Sequence, residues 1–214
     1  METRISSIVR KSVMDLDPFY PIVDSSNWIG RLVPLGIKLV QLRIKDASEE
    51  TLRMEIATSQ ATCRKYGCQL IINDHWRIAV DLGCDYVHFG QEDLADADLD
   101  SIRRAGLRLG VSTHDGAELD AALSVQPDYV ALGPVFPTSS KALSWKPQGI
   151  EKIEGWKRKI GDLPLVAIGG IRLERSRDVL QAGANSVAII SDVTKNSTPE
   201  QRTLDWIAQT QDWR

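Results

Sequence analysis

Leu70-Ile71-Ile72-Asn73, Tyr129-Val130-Ala131-Leu132, Leu165-Val166-Ala167-Ile168 and Val187-Ala188-Ile189-Ile190 decide the fold. None of these runs alternates apolar with polar residues, the pattern of a strand buried on both faces in a parallel sheet. The first and last of these runs belong to strands expected at Gln69–Asn73 and Ser186–Ile190, and, working outward, further strands are expected at Phe19–Asp24, Leu39–Arg43, Tyr86–Phe89 and Arg108–Val111. Helical spacing fills the gaps: Asn27–Leu35, Glu49–Tyr66, His75–Leu82, Asp98–Ala105, Asp115–Leu123, Ile150–Ile160, Glu174–Ala182 and Pro199–Gln211. Ser48, followed by Glu49 and Glu50, reads as a cap with acids in the first turn. A strand–helix unit recurs about every 27 residues, the count of a single-domain (β/α)8 TIM barrel. Residues 1–18 are expected as an N-terminal arm and 19–214 as the barrel.

Composition narrows the function. The 214 residues are 43% hydrophobic and 26% charged, ordinary for a folded domain. Their 26 basic and 29 acidic residues give a net charge of −3 without long blocks of either sign. That argues against a nucleic-acid or membrane surface and leaves anionic small molecules open as partners. The longest apolar stretch, Leu163–Ile171, is nine residues, too short to span a bilayer. No secretory leader is visible, so a cytoplasmic location is expected. Cys63, Cys68 and Cys84 lack metal-site spacing and read as reduced packing residues. A homo-oligomer is possible, though no helix face decides it.

In a (β/α)8 barrel, chemistry sits where strands end. Those exits here carry Gln41, Arg43 and Lys45; Asn73, Asp74 and His75; Gly90 to Asp93; Ser112 to His114; Thr138, Ser139, Ser140 and Lys141; Gly169 and Gly170; and Ile190 and Ser191. Asp74 and Asp93 leave adjacent strands and could share a hard cation, Mg²⁺ suiting two carboxylates completed by phosphate oxygens and water. The alternative is that each caps a helix or pairs with a neighbour such as Arg77. Arg43, Lys45 and Lys141 would meet at one mouth, where a diphosphate is the natural counter-ion; the alternative is a solvated rim. Gly169-Gly170 and the amides after Ile190 suggest a second phosphate site, or a tight turn. The stretch Phe136–Gln148 lacks periodicity and is expected to close over the diphosphate. His88 reads as a hydrogen-bonded core residue and His75 as a helix-start residue, while the role of His114 stays open.

Taken together, QLRIK (Gln41–Lys45), IIND (Ile71–Asp74), VHFGQEDL (Val87–Leu94), GVSTH (Gly110–His114), ALGPVFPTSSK (Ala131–Lys141), VAIGGI (Val166–Ile171) and VAIIS (Val187–Ser191) resemble the thiamine-phosphate synthase family. The resemblance implies a transferase that joins 4-amino-2-methylpyrimidine methyl diphosphate to a thiazole ethyl phosphate, often carboxylated, by a Mg-assisted dissociative route. It implies that Gln41, Leu42, Arg43, Ile44, Lys45, Asn73, Ser112 and Lys141 contact the pyrimidine diphosphate. Arg43, Lys45, Lys141 and Ser112 would be catalytic, and Asp74 and Asp93 would hold Mg²⁺. Thr138, Ser139, Ser140 and Gly170 would hold the thiazole phosphate, with Ile190 and Ser191 doing so through backbone amides. Ser140 stands where the family often has threonine, and Ile44 where it often has glutamate. The related thiazole tautomerases share the glycine site and a histidine at the position of His114. An isomerase without a diphosphate substrate has little use for Arg43, Lys45, Asn73, Asp74, Asp93 and Lys141. A silent phosphate-binding barrel would have no reason to keep both aspartates.

Overall fold

Eight parallel strands close into a barrel in sequence order, β1 pairing with β8, in a computed structural model that describes residues 16–138 and 146–214. The strands are β1 (Phe19–Val23), β2 (Leu39–Leu42), β3 (Gln69–Asn73), β4 (Tyr86–Phe89), β5 (Arg108–Thr113), β6 (Tyr129–Leu132), β7 (Leu165–Ile168) and β8 (Ser186–Ile189). Helices α1 (Ser26–Leu32), α2 (Glu49–Tyr66), α3 (Trp76–Asp81), α4 (Gln91–Ala95), α5 (Leu99–Arg104) and α6 (Gly116–Ser124) follow the first five strands. Helices α7 (Glu151–Ile160), α8 (Ser176–Gln181), α9 (Ser191–Thr194) and α10 (Pro199–Gln209) follow the rest. The (β/α)8 expectation therefore stands, with α4 and α9 as additions to the expected helices. The expected arm is described only from Leu16 onward, and most of the expected closing segment lies outside the described residues.

Strand alternation sorts side chains into two cores. Tyr20, Ile22, Leu39, Ile71, Tyr86, Tyr129, Val166 and Ala188 form one buried cluster within the barrel. Their strand neighbours, such as Val40, Ile72, Val87, Val130, Leu165 and Val187, join the helices in a second cluster. Each fully buried aliphatic chain contributes roughly 1.5–3 kcal/mol, so the period-two pattern fixes which residues face the barrel axis. On the outer side, the Trp206 ring of α10 stacks on Phe19 with centroids 5.3 Å apart and planes 6° from parallel.

Local signals act as the sequence suggests. The Ser48 hydroxyl accepts from the Thr51 amide at 3.2 Å, starting α2, and Gly67 ends it at φ 63°. Leu52, Ile56 and Cys63 line its buried face. Cys63, Cys68 and Cys84 are buried and free. Gly110 answers to the interior, because a Cβ there would collide with the Tyr129 ring. Among the described residues, no helix is long and apolar enough to cross a membrane.

Candidate active site

The strand ends gather polar side chains at one mouth of the barrel. From β2, Gln41 is buried inside, where its Nε2 donates to the Tyr20 hydroxyl at 2.7 Å. Arg43 follows, its backbone amide bonded to the Val23 carbonyl at 2.8 Å and its charge felt at His88. Lys45 is exposed, and its charge reaches Asp74. Leu42, between Gln41 and Arg43, is buried in the outer core, and Ile44, between Arg43 and Lys45, packs half-buried against it.

At the end of β3, Asn73 is buried and Asp74 turns the chain with φ 64°. Left-handed backbone at a residue other than glycine costs on the order of 1 kcal/mol, a strain that marks functional positions. The turn is pinned on both sides. Asp74 donates its amide to the His88 carbonyl at 3.0 Å, and the His75 ring bonds the Ile44 carbonyl through Nε2 at 3.1 Å. Asp93 comes from the first turn of α4, its Oδ2 3.4 Å from where a Cβ on Gly90 would stand. The two carboxyl groups are within hydrogen-bonding reach, and burial together with the Asp93 charge pushes Asp74 up to about 6. Two carboxylates forced together in this way are relieved by a shared cation, so the pair fits a hard divalent ion. Among the described residues no group of three or more His, Cys, Asp or Glu side chains could hold a metal, so the remaining ligands would be water and substrate oxygens. A cavity of about 810 Å³ touches the pair but runs outward along α2 and α3, lined by Glu49, Arg53, Trp76 and Asp81 as well as the two aspartates, and Gln41, Arg43, Lys45 and Ser112 do not line it.

Ser112 on β5 bonds His88 Nε2 through Oγ at 2.8 Å, and its carbonyl accepts from Gln91 Nε2 at 2.6 Å. Burial, reinforced by the Arg43 charge, pulls His88 down to about 4, so it is neutral at pH 7. Its Nδ1 lies 2.7 Å from the Tyr129 hydroxyl, the core role expected for it. His114 is paired with Glu118, its Nδ1 2.7 Å from Oε2.

The second anion site rests on fewer described groups. Gly169 and Gly170 have φ values of 100° and 65°, which favour glycine. Their missing side chains also make room for the β6 loop, since a Cβ on Gly169 would strike Pro134 and one on Gly170 the Phe136 and Pro137 carbonyls. Loop packing therefore accounts for the glycine pair before any phosphate is invoked. Ile190 caps α9 and Ser191 begins it, while Thr138 is half-buried. Ser139, Ser140 and Lys141 lie outside the described residues.

Sequence reasoning missed the supports beneath this mouth. Asp192, next to Ser191, accepts from Arg202 Nε at 2.9 Å, Trp206 Nε1 at 2.8 Å and the Leu173 amide at 3.3 Å. It thus ties the segments after β7 and β8 to α10. Tyr20 and Tyr129 were equally silent, although two tyrosines at the start of inward-facing strands and a glycine at position 110 were the available signal.

Comparison with known proteins agrees with the geometry. A family described as thiamine monophosphate synthase matches residues 19–193. A thiamine-phosphate synthase of Rhizobium etli is 60% identical over 94% of this chain and 98% of that protein. Its counterpart in Cronobacter sakazakii is 47% identical over 90% of this chain and 88% of that protein. The solved structure of a thiamine phosphate pyrophosphorylase from Pyrococcus furiosus superposes with a TM-score of 0.82 at 25% identity, covering 92% of this chain and 96% of that one. With a family match across most of its length, relatives this similar and a barrel that superposes on a family structure, the chain belongs to the thiamine monophosphate synthase family of transferases.

Proposed function

We propose that the mouth of this barrel joins 4-amino-2-methylpyrimidine methyl diphosphate to a thiazole ethyl phosphate, releasing pyrophosphate and forming thiamine phosphate. The observation that carries this reading is the apposition of Asp74 and Asp93 with the Lys45 charge reaching Asp74, while the Arg43 charge reaches His88 under Ser112. Carboxylates crowded enough to raise Asp74, set beside cations, suit a ligand that brings both a divalent ion and a polyanion. A diphosphate with Mg²⁺ meets both needs, whereas an isomerase acting on a monophosphate has no use for them.

Asp74 and Asp93 would hold Mg²⁺, which when bound supplies counter-charge to the diphosphate oxygens. The chain's own residues account for the remaining catalysis. The aminopyrimidine ring releases electron density toward its methylene carbon, so the C–O bond can break before the new bond forms. Arg43 and Lys45, joined by Lys141 from the family motif, stabilise negative charge growing on the departing oxygen. Asn73 and Ser112 hold the diphosphate, and Gln41 holds the pyrimidine. Leu42 and Ile44 contribute backbone contacts only.

Thr138, Ser139, Ser140 and Gly170, with the amides of Ile190 and Ser191, hold the thiazole phosphate so that the ring nitrogen faces the methylene carbon. That placement supplies the proximity effect and excludes water from the cation. The thiazole nitrogen attacks with its own lone pair, so no general base is needed for bond formation. Small-molecule substrates and balanced charge fit a cytoplasmic enzyme. Incubating the protein with both substrates and Mg²⁺ and following products by mass tests the assignment. Thiamine phosphate and pyrophosphate should appear in equal amounts, and their absence would overturn the reading.

A further inference from the structure

One continuous chain of hydrogen bonds crosses the barrel interior and ends on two residues of the proposed site. Gln41 Nε2 donates to the Tyr20 hydroxyl at 2.7 Å, and the Tyr20 and Tyr129 hydroxyls are 3.1 Å apart. The Tyr129 hydroxyl lies 2.7 Å from His88 Nδ1, and His88 Nε2 lies 2.8 Å from Ser112 Oγ. Tyr20 and Tyr129 are 1% and 0% exposed, so water cannot rescue a mismatched link.

Each tyrosine hydroxyl owns one hydrogen, and so does a neutral imidazole. Only two arrangements then put one hydrogen in every link and leave no buried hydrogen without an acceptor. In the first, hydrogens run from Gln41 through Tyr20 and Tyr129 to His88 Nδ1, leaving the proton of His88 on Nε2 and pointing at Ser112. In the second, every link reverses, Gln41 turns its carbonyl inward and Ser112 donates to His88. With the Gln41 amide nitrogen on Tyr20 the first arrangement follows, and the His88 tautomer is the observable that separates the two. In that arrangement Ser112 accepts from His88 and keeps its own hydrogen for a ligand, and the remaining polar atom of the Gln41 amide is its carbonyl oxygen, an acceptor.

We propose that Tyr20, Tyr129 and His88 are positioning residues that fix the hydrogen-bond polarity of the site. It thereby takes a ligand offering an N–H donor to Gln41 and an acceptor, a ring nitrogen or phosphate oxygen, to Ser112. This rests on the reading that Gln41 and Ser112 face the pyrimidine diphosphate. A 4-aminopyrimidine diphosphate matches that polarity. Its 4-oxo analogue, nearly identical in shape, sets an acceptor against the Gln41 carbonyl and is rejected.

Two measurements on the full chain test the proposal. In ¹⁵N-labelled protein without ligand, long-range proton–nitrogen correlation should show His88 protonated on Nε2; protonation on Nδ1 would overturn it. Tyr129→Phe keeps the ring but cuts the chain, freeing His88 to take either tautomer. Discrimination between the 4-amino substrate and the 4-oxo analogue, measured by competition, should then fall about tenfold. A purely structural role would leave that ratio unchanged, and an unchanged ratio in the folded variant overturns the proposal. Tyr20→Phe cuts the chain one link away and provides the same readout if Tyr129→Phe does not fold. Should the wild type make no thiamine phosphate, the assigned reaction fails, and the ligand named here with it. Wild-type turnover with undiminished discrimination in the variants defeats only the polarity proposal.

Discussion

His88 Nδ1 stands 2.7 Å from the Tyr129 hydroxyl with the two rings stacked, their centroids 5.5 Å apart and their planes 20° from parallel. The contact accommodates a neutral imidazole, and burial first, then the charge of Arg43, lowers its pKa to about 4 from an ordinary 6.5. Above pH 6.5 neither folded nor unfolded chain binds this proton, and the full stability is present. As pH falls below 6.5 the unfolded chain takes up a proton that the fold refuses, so stability declines until about pH 4. Between pH 7 and pH 5 the wild type should lose about 2 kcal/mol more than His88→Gln, read from urea midpoints. Asp74, raised and so working in the opposite sense, is common to both proteins and drops out of the comparison. Equal losses in the two proteins would show that His88 is protonated in the fold.

The seat of Tyr129 gives a second expectation. A Cβ at position 110 would overlap the Tyr129 ring, and both residues sit on adjacent, paired strands, Gly110 opposite Tyr129. The ring cannot retreat, because its own hydroxyl is held by His88 and Tyr20. Gly110→Ala should therefore cost about 2–4 kcal/mol, the range for overpacking plus a broken buried hydrogen bond, measured by chemical denaturation. The same change at Gly116, where a Cβ meets nothing within 4 Å, is the control and should leave stability within about 0.5 kcal/mol of the wild type.

Asp192 supports a third. Its carboxylate carries the Arg202 guanidinium, the Trp206 indole and the Leu173 amide, and its side chain is only 9% exposed. Asn at this position keeps the shape but cannot accept from all three donors, and it leaves Arg202 with Glu174 alone. Partial exposure of Arg202 moderates the loss, so Asp192→Asn should destabilise by about 2–3 kcal/mol. A drop of less than about 0.5 kcal/mol in the unfolding free energy would mean that the carboxylate is not what holds α10 against the barrel.

How much of this was visible beforehand depends on the length scale of each signal. The strands were legible because a run such as Leu165–Ile168 has no polar face to hide, and α2 because eighteen residues give five turns of periodicity. Helices α4 and α9, of five and four residues, are shorter than any period that could reveal them. The strand-exit residues were legible as types, since each exit is local in sequence. What joined them was not. The chain from Gln41 to Ser112 passes through Tyr20, Tyr129 and His88, a set assembled only when β1 closes against β8 and the strands adopt one register. Likewise, Gly169-Gly170 read as a phosphate turn, while its glycines also answer to Pro134 and Pro137 in the loop after β6, distant in sequence.

Asp74 and Asp93 yield a prediction in which stability and activity move in opposite directions. In the protein without metal, burial and then the neighbouring Asp93 charge raise Asp74 to about 6. Asn is nearly isosteric and is better suited than most residues to the left-handed backbone at position 74, where φ is 64°. Asp74→Asn should therefore stabilise the metal-free protein at pH 7 by about 1 kcal/mol, after allowing for solvent screening of a half-exposed group. The same substitution removes one of the two anionic ligands available to Mg²⁺, and turnover should fall on the order of 10²-fold. Mg²⁺ with pyrophosphate should raise the Tm of the wild type and leave that of Asp74→Asn nearly unmoved, since only binding to the folded state stabilises it. Stripping the wild type with chelator should abolish turnover, and Mg²⁺ should restore it. Wild-type turnover in Asp74→Asn would remove the carboxylate pair from the reaction. A loss of stability there would instead show that the two groups are not in conflict when the ion is absent.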